Sequence, residues 1–302
     1  MRCVGWTAKG ERVQLPAPVR LRLRSDEDAP ADSLEARFPA WDAVGNLCWI
    51  QLMDRVGRVL FAGIVDEQVL SEDEDGITAE LSARSRAALL LDNEAQPQIY
   101  YMPSLKLLFE RHAAPYGFTT GYLGRDEVFG GAFTVEKGMS EWQALEAFCK
   151  TYLGVRLIAR GDVLDASGLV QPEPVDVSRS HWPLSTCKIV WKDAARISEL
   201  RMRTGDAADY DAILQDEEAV ARGVVRRRYL SGSDVERAKD VLRKARQKSF
   251  AVQVCGPGMV CPPLGSPAKA DYGENLYVSA WEYQLDSRGE ISRVTLRRKE
   301  EG

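Results

Sequence analysis

The sequence predicts a β-rich α+β fold, with a β-rich domain towards each end of the chain and an α/β region inserted between them. Short segments in which apolar and polar residues alternate fill the first third of the chain and return near its end, as is typical of β-strands. Helical spacing of apolar residues is concentrated in the middle of the chain and in one later segment. The predicted limits are 1–94 for the first β-rich domain, 95–180 for the α/β insertion and linker, and 181–302 for the second β-rich domain, with a helix at about 233–248.

The first β-rich domain, predicted to be a small barrel or a sandwich, is organised around one β-hairpin. Its strands are predicted at Val59 to Leu70 and at Ile77 to Ala83, with the acidic turn Glu72 to Gly76 between them. Gly63 lies inside the first strand and indicates a bulge or a bend. An earlier strand is predicted at Val13 to Arg24, where apolar residues alternate with arginines.

The middle of the chain shows helix signals. Pro103 and Pro115 bracket a short apolar-faced helix, and Ser140 with Gln143 forms the pattern of a capping box before a second helix. The stretch 166–186 contains three prolines and little periodicity, so it is predicted to be a linker.

The last third is again read as strands with loops between them. The segment 206–218 is acidic and is predicted to be an exposed loop, and Cys255 to Tyr272 is predicted to be a Gly/Pro-rich loop. Ser233 and Glu236 give a second capping-box pattern before the predicted late helix.

Composition excludes several classes of function. The 302 residues are 45% hydrophobic and 28% charged, with a formal net charge of −5, which is ordinary for a globular protein and argues against nucleic-acid binding as the main task. No apolar run has the length of a membrane span, and the first residues lack the apolar core of a secretory signal. The six scattered cysteines are expected to be reduced thiols.

Candidate catalytic and metal-binding residues are few. His112 and His181 lie outside any nucleophile or metal motif, so a structural role is favoured for both. Cys255 and Cys261 are spaced more widely than paired zinc ligands usually are, and no second pair follows them. The acidic clusters lie in predicted turns, where solvated carboxylates are the default. We therefore expect no catalytic residue, no metal and no cofactor.

One segment stands out by its charge. Arg222 to Lys248 holds ten Lys and Arg residues against three acidic ones, a net charge of +7, while the rest of the chain carries −12. The segment lacks the interleaved aromatic residues typical of nucleic-acid binding, which favours a contact with a protein subunit or a solvated helix face over a nucleic-acid site. The candidate residues for a subunit or partner contact are Arg226, Arg227, Arg228, Arg243, Lys244 and Arg246.

The order of several segments resembles a known family. These segments are PADSLEARFP, RVLFAGIVDE, LSARSRAALLLDNEA, FTVEKGMSEWQALEAFCKTYLGVRL and YVSAWEYQLDSRGEISRVTLR. Together they resemble phage tail baseplate hub proteins, the family of the late control gene D product and the Mu-like tail hub. The resemblance extends from about residue 13 to 298.

The resemblance implies a structural role in a phage tail. A hub chain has two small β-barrel domains, which would be 1–94 and 181–302 here, with an inserted α/β region. Three such chains close into a homotrimeric ring, which joins the hexameric tail tube to the trimeric spike. The implied partners are further copies of the chain, the tail tube protein, the spike protein and the tape measure protein, with DNA only passing through the lumen and no membrane insertion. The implied location is the baseplate of the virion tail, assembled in the bacterial host cytoplasm. No catalytic residue is implied, and an acidic lumen would repel phosphate.

Two other functions stay open at this point. One is a tail-associated cell-wall hydrolase, which would need converging carboxylates or an activated nucleophile. The other is a non-viral adaptor module built on a β-barrel, which would be monomeric and would bind a small partner.

Overall fold

The computed structural model divides the chain into two compact units. The first consists of Met1–Gln171 with Glu282–Glu290, and the second of Pro172–Trp281 with Ile291–Gly302. The structure describes residues 1–39, 46–74, 76–122, 127–166, 172–203, 209–230 and 235–299. None of the helices in these ranges is long and apolar enough to cross a membrane.

An antiparallel sheet forms the first part of the first unit. Its strands are β1 (Arg2–Thr7), β2 (Arg12–Leu15), β3 (Arg20–Asp26), β4 (Ala29–Pro39), β5 (Leu47–Met53), β6 (Val59–Asp73) and β7 (Gly76–Ser85). The order of hydrogen-bonded neighbours is β3-β4-β7-β6-β5-β1-β2. The strands form because apolar residues alternate with polar ones, so that Leu21, Leu23 and Leu34 are buried on one face.

The single strand predicted at Val13 to Arg24 is wrong. The structure has two strands there, β2 and β3, which are separated by residues 16–19. Pro16 and Pro18 lie in this break, and proline lacks the backbone N–H that a sheet ladder needs. The sequence also gave no prediction for β1, which pairs with β2 and β5.

The organising hairpin is present as β6 and β7, and Gly63 is required within it. The register shifts between Val65 and Glu67, so the predicted bulge lies just after the glycine. A Cβ atom built on Gly63 would lie 2.1 Å from the carbonyl oxygen of Arg84. The two strands therefore approach each other closely at this point, and only glycine fits.

An α/β region completes the first unit. Its elements are α1 (Ala87–Asp92), β8 (Gln98–Tyr101), α2 (Leu105–His112), a 3-10 helix (Ala114–Tyr116), β9 (Thr119–Tyr122), β10 (Ala132–Val135), α3 (Glu141–Phe148), a π-helix (Cys149–Leu153), β11 (Ile158–Arg160) and β12 (Val163–Asp165). Ser140 and Gln143 form the predicted capping box at the start of α3. Leu108 and Phe148 are completely buried in one hydrophobic cluster.

The second unit contains a larger sheet, a small sheet and two helices. Its elements are β13 (Val175–Asp176), β14 (Thr186–Trp191), a 3-10 helix (Asp193–Ala195), β15 (Glu199–Met202), β16 (Ala212–Gln215), α4 (Glu217–Ala221), β17 (Arg227–Leu230), α5 (Val235–Ser249), β18 (Phe250–Pro257), β19 (Pro267–Lys269), β20 (Leu276–Asp286) and β21 (Gly289–Arg298). The larger sheet has the order β14-β18-β21-β20, with β19 beside β20 and β13 beside β19; the small sheet has the order β16-β15-β17. The tip of the β20–β21 hairpin, Glu282–Glu290, belongs to the first unit.

The β-rich α+β class is thus confirmed, but the described parts of two segments predicted as irregular contain regular elements. The described part of the predicted linker contains β13, and Trp182 is buried and donates its indole N–H to the carbonyl oxygen of Pro257 at 2.9 Å. The acidic segment 206–218 contains β16 and the start of α4, where Asp216 is completely buried.

Two further predictions concern the loop at Cys255 to Tyr272 and the start of the late helix. The predicted loop Cys255 to Tyr272 contains the last residues of β18 and all of β19. The predicted late helix is α5, whereas Ser233 of its predicted capping box lies outside the described residues.

Candidate functional site

The basic segment, Arg222 to Lys248, supplies β17 and most of α5, which pack together in the second unit. One face of the sheet β16-β15-β17 is covered by α5, because Leu200 and Met202 pack in one buried cluster with Ala238 and Leu242. The apolar face of α5 therefore belongs to the core, and its cations lie on the remaining faces of the helix.

Arg226 is held by backbone oxygens. Its Nη1 donates a hydrogen bond to the carbonyl oxygen of Arg196 at 3.0 Å and another to that of Ala194. These carbonyls lie at the end of the 3-10 helix Asp193–Ala195, where they lack partners within the helix. The contact makes Arg226 a capping residue of its own chain.

Arg227 shares a carboxylate with Arg201. The Nε atoms of both arginines lie 2.5 Å from Oε1 of Glu199. Hydrogen bonds from Arg201, which has the larger effect, and from Arg227 hold the pKa of Glu199 below its ordinary value. All three side chains lie on the face of the small sheet opposite to α5.

The three candidate cations of α5 also have acidic partners in the same unit. Arg243 and Lys244 both contact Asp240, with 3.0 Å between Lys244 Nζ and Asp240 Oδ2. Burial alone would raise the pKa of Asp240, but the hydrogen bonds from these two cations outweigh it and lower the pKa. Arg246 Nε lies 2.8 Å from Oδ2 of the buried Asp216.

Arg228 differs from the other five candidates. It is exposed, and among the described residues it has neither an ion-pair partner nor a hydrogen-bond partner for its side chain. The structure thus brings the six predicted residues into one unit but pairs five of them internally. Their role in a partner contact stays a prediction.

The open face of the small sheet was not predicted from the sequence. Ile213, Arg201 and Tyr229 lie in register across β16, β15 and β17, and Ile213 and Tyr229 are 51% and 56% exposed. Tyr210 packs edge-on against Tyr229 with 5.0 Å between ring centroids, and the guanidinium of Arg203 lies over Tyr210. The available signal was the alternation of residues 199–202, in which every second residue is charged.

His112 lies in a closed network of hydrogen bonds. Its Nδ1 is 2.5 Å from Glu141 Oε2 and its Nε2 is 2.9 Å from the hydroxyl of Tyr100, while the hydroxyl of Tyr116 donates to Glu141 Oε1. His112, Glu141 and Tyr100 are all more than nine-tenths buried. Such an enclosed arrangement supports the structural role favoured for His112.

His181 lies in a second cluster, which resembles a catalytic triad only in composition. Asp176 Oδ2 is 3.1 Å from His181 Nδ1, and Ser180 Oγ is 3.2 Å from the same nitrogen. A serine triad needs its serine and carboxylate on opposite ring nitrogens, so this cluster cannot relay a proton in that way. Hydrogen bonds from Ser178, supported by Lys269, lower the pKa of Asp176 to about 2.

The cysteines are free, as expected for reduced thiols. Burial raises the pKa of Cys3 and of Cys149 to about 12, which makes both thiols unreactive. Cys255 is buried and Cys261 is half-buried. In the ranges that the structure describes, no group of three or more metal-binding side chains is present.

The outer face of the first sheet carries a shallow charged cleft of about 350 Å³. Arg22, Glu35, Ser82 and Glu67 lie in register across β3, β4, β7 and β6 and line it. Charges of both signs are interspersed here with apolar side chains such as Val69 and Leu285, and the described lining shows no cluster of groups suited to catalysis.

Comparison of the sequence with known proteins gives no match: no protein-family model matches it, and no curated protein matches it. The fold, in contrast, is shared with solved structures.

The 43 kDa tail protein of prophage MuSo2 from Shewanella oneidensis aligns with a TM-score of 0.78 at 16% identity, over 99% of this chain and 98% of that chain. The tail protein from Neisseria meningitidis MC58 aligns with a TM-score of 0.76 at 18% identity, over 99% and 97% of the two chains.

A third solved structure with a similar fold is a component of the type VI secretion system. The E. coli c3393 protein, a component of the type VI secretion system with structural similarity to the T4 bacteriophage tail proteins gp27 and gp5, aligns with a TM-score of 0.59 at 11% identity, over 96% of this chain and 76% of that chain. The chain has the fold of phage tail proteins, and the resemblance seen in its sequence is confirmed at the level of the fold.

Proposed function

We propose that this chain is a structural hub subunit of a phage tail or a tail-like particle. One observation carries the proposal: the chain aligns with two tail proteins, one of them from a prophage, over at least 97% of the length of each chain in both alignments. The similarity therefore includes both compact units and the α/β region, and is not limited to a single widespread domain. Fold alone does not fix function, so the proposal needs a test of assembly.

The proposed assembly is a homotrimeric ring that joins the hexameric tail tube to the trimeric spike. Support comes from the T4 tail proteins gp27 and gp5 to which the E. coli c3393 protein is structurally similar. Each chain has two compact units, so three chains would supply six units to a six-fold tube. The tube, the spike and the tape measure protein are the proposed neighbours in the baseplate of the virion tail.

The proposed role is mechanical and not enzymatic. A ring at this position must transmit load and let DNA pass without binding it. Large antiparallel sheets suit the first requirement, and the charge of −12 outside the basic segment suits the second. The two histidine clusters do not favour hydrolysis, because one is enclosed and the other has both partners on one nitrogen.

The solution mass of the purified chain, measured by light scattering with negative-stain images of the same sample, tests the proposal. We expect a mass of about three chains and ring-shaped particles. If the chain is monomeric alone, addition of a spike or tube protein encoded beside it should produce the ring. A chain that stays monomeric under all of these conditions contradicts the hub function and favours the adaptor.

A separate assay tests the alternative function, a tail-associated cell-wall hydrolase. Purified peptidoglycan incubated with the chain should keep its turbidity over hours, as it does with buffer alone. Clearing that survives further purification of the protein would contradict the non-enzymatic role.

A further inference from the structure

We propose that the open face of the small sheet binds the acidic end of the β6–β7 hairpin of a second copy of this chain. The first surface, called the arginine–tyrosine face, consists of Arg201, Arg203, Tyr210, Ile213, Arg227 and Tyr229. The second, called the hairpin tip, consists of Leu70, Glu72, Glu74 and Ile77. The inference rests on the proposed function, because a ring requires a contact between copies.

The arginine–tyrosine face has the composition of a protein contact. Its central row of Ile213, Arg201 and Tyr229 places an apolar, a cationic and an aromatic side chain side by side across three strands. Ile213 is 51% and Tyr229 is 56% exposed. Tyrosine and arginine are enriched among the residues that contribute most to binding at protein interfaces.

The side chains of this face are held in place before any partner binds. Glu199 fixes Arg201 and Arg227 through one carboxylate oxygen. Tyr229 packs against Tyr210, which in turn lies under the guanidinium of Arg203 at 5.1 Å. Little side-chain entropy is lost when such a surface binds, which strengthens association.

The hairpin tip carries the complementary features. Leu70 and Glu72 lie on one face of β6, and Ile77 lies opposite Glu72 on β7. Leu70 is 51% and Ile77 is 44% exposed, and both Glu72 and Glu74 are exposed. Among the described residues, neither glutamate has an ion-pair partner.

The two surfaces match in polarity and in charge. Two exposed aliphatic side chains beside carboxylates would meet an exposed aliphatic and aromatic pair beside guanidinium groups. Each copy carries one of each surface on different units, so the contact is heterologous. A repeated heterologous contact that closes generates a ring, which is the assembly proposed above.

A second copy fits this face better than a nucleic acid does. Glu199 lies between Arg201 and Arg227 and would face a phosphate backbone directly. Tyr229 and Tyr210 pack edge-on with 77° between their ring planes, so these two rings do not form parallel platforms on which successive bases could stack.

Cysteine cross-linking between two variants that each gain one cysteine tests the contact without requiring a stable ring. Ile213→Cys and Leu70→Cys are made separately in a background that carries Cys48→Ser, Cys187→Ser and Cys261→Ser, which removes the exposed and the half-buried native thiols. On mixing under mild oxidation, we expect a disulfide-linked heterodimer. Val19→Cys replaces Leu70→Cys in the matched control, because Val19 lies in the same unit and is also 51% exposed. The control should give at least about tenfold less cross-linked product.

Reversing the charges of the two surfaces tests the same contact through the strength of self-association. Arg203→Glu with Arg227→Glu should weaken self-association by about tenfold or more, and adding Glu72→Lys with Glu74→Lys to that chain should restore most of the loss. Arg228→Glu is the matched control, because Arg228 is exposed on the same strand but lies next to Arg227 and outside the open face. It should change self-association by less than about threefold.

The outcomes separate this inference from the hub proposal. A ring that forms in wild type but shows no preferential cross-link overturns the inference and leaves the hub function standing. Equal weakening by Arg228→Glu, or a charge exchange that restores nothing, also overturns it. Binding of a labelled single-stranded oligonucleotide that Arg203→Glu abolishes, with no cross-link between copies, would assign the face to nucleic acid instead.

Discussion

The guanidinium of Arg246 lies 2.8 Å from the carboxylate of Asp216, a side chain that is completely buried. Asp216 also caps α4, because its Oδ1 accepts a hydrogen bond from the backbone N–H of Ala219. Arg246 is about one-third exposed. We predict that Arg246→Ala lowers the free energy of unfolding by about 2 kcal/mol, because a buried carboxylate loses its cation.

Lys244→Ala is the matched control for Arg246→Ala. Lys244 lies on the same helix and also contacts an acidic partner, but it is exposed, so its ion pair should contribute less than about 1 kcal/mol. Urea unfolding followed by circular dichroism measures both variants. Equal effects of the two substitutions would contradict the structural role of the Arg246–Asp216 pair.

The close approach of two strands at Gly63 leads to a second prediction. Gly63→Ala would place a methyl group 2.1 Å from the carbonyl oxygen of Arg84, which is backbone and cannot rotate away. We expect a loss of about 3 kcal/mol, at the upper end of the range for overpacking, and a lower thermal midpoint.

Gly130→Ala controls for the change from glycine to alanine itself. A Cβ atom at Gly130 meets no atom within 4 Å. The variant should stay within about 0.5 kcal/mol of wild type, as is usual for surface changes. A Gly63→Ala protein as stable as the Gly130→Ala protein would contradict the tight strand approach.

The regular elements were predictable where local pattern decides structure. The β6–β7 hairpin and the capping box of Ser140 and Gln143 depend on residues close in sequence, and both were predicted. By contrast, β13 has only two residues and is formed by pairing with β19, which lies about ninety residues later. No local signal reveals such a partner, and the prolines nearby indicated a linker instead.

In the candidate site, too, local sequence indicates some features and only the fold reveals others. The charge of the segment Arg222 to Lys248 was visible in the sequence, and so was Asp240, which lies within a helical turn of Arg243 and Lys244, but the partners from outside the segment were not. Glu199 and Asp216 lie before the segment and reach it only through the small sheet and α4. The sequence could therefore identify the cations, whereas only the fold shows that five of the six are paired within the unit.

The network around His112 gives a third prediction. His112→Ala would remove one hydrogen bond from the buried carboxylate of Glu141, which would keep the one from Tyr116, and would open a cavity between α2 and α3. We expect a loss of about 3 kcal/mol. The exposed His181 provides the control, and His181→Ala should cost less than about 1 kcal/mol at neutral pH. Thermal unfolding compares the two, and a His112→Ala protein no less stable than the control would contradict a structural role for His112.

The hydrogen bonds at Asp176 predict how stability depends on pH. The pKa of Asp176 is lowered from 3.8 to about 2 by bonds from Ser178 and Lys269. Because the folded state holds the proton less tightly than the unfolded chain, this group stabilises the fold above pH 3.8, and the contribution is lost as the pH falls towards 2. Asp176→Asn should therefore be less stable than wild type at pH 7, and the difference should shrink between pH 4 and pH 2. Urea midpoints across this range measure it, with the exposed Glu173→Gln as control. A difference that stays constant with pH would show that the substitution acts through packing and not through ionisation.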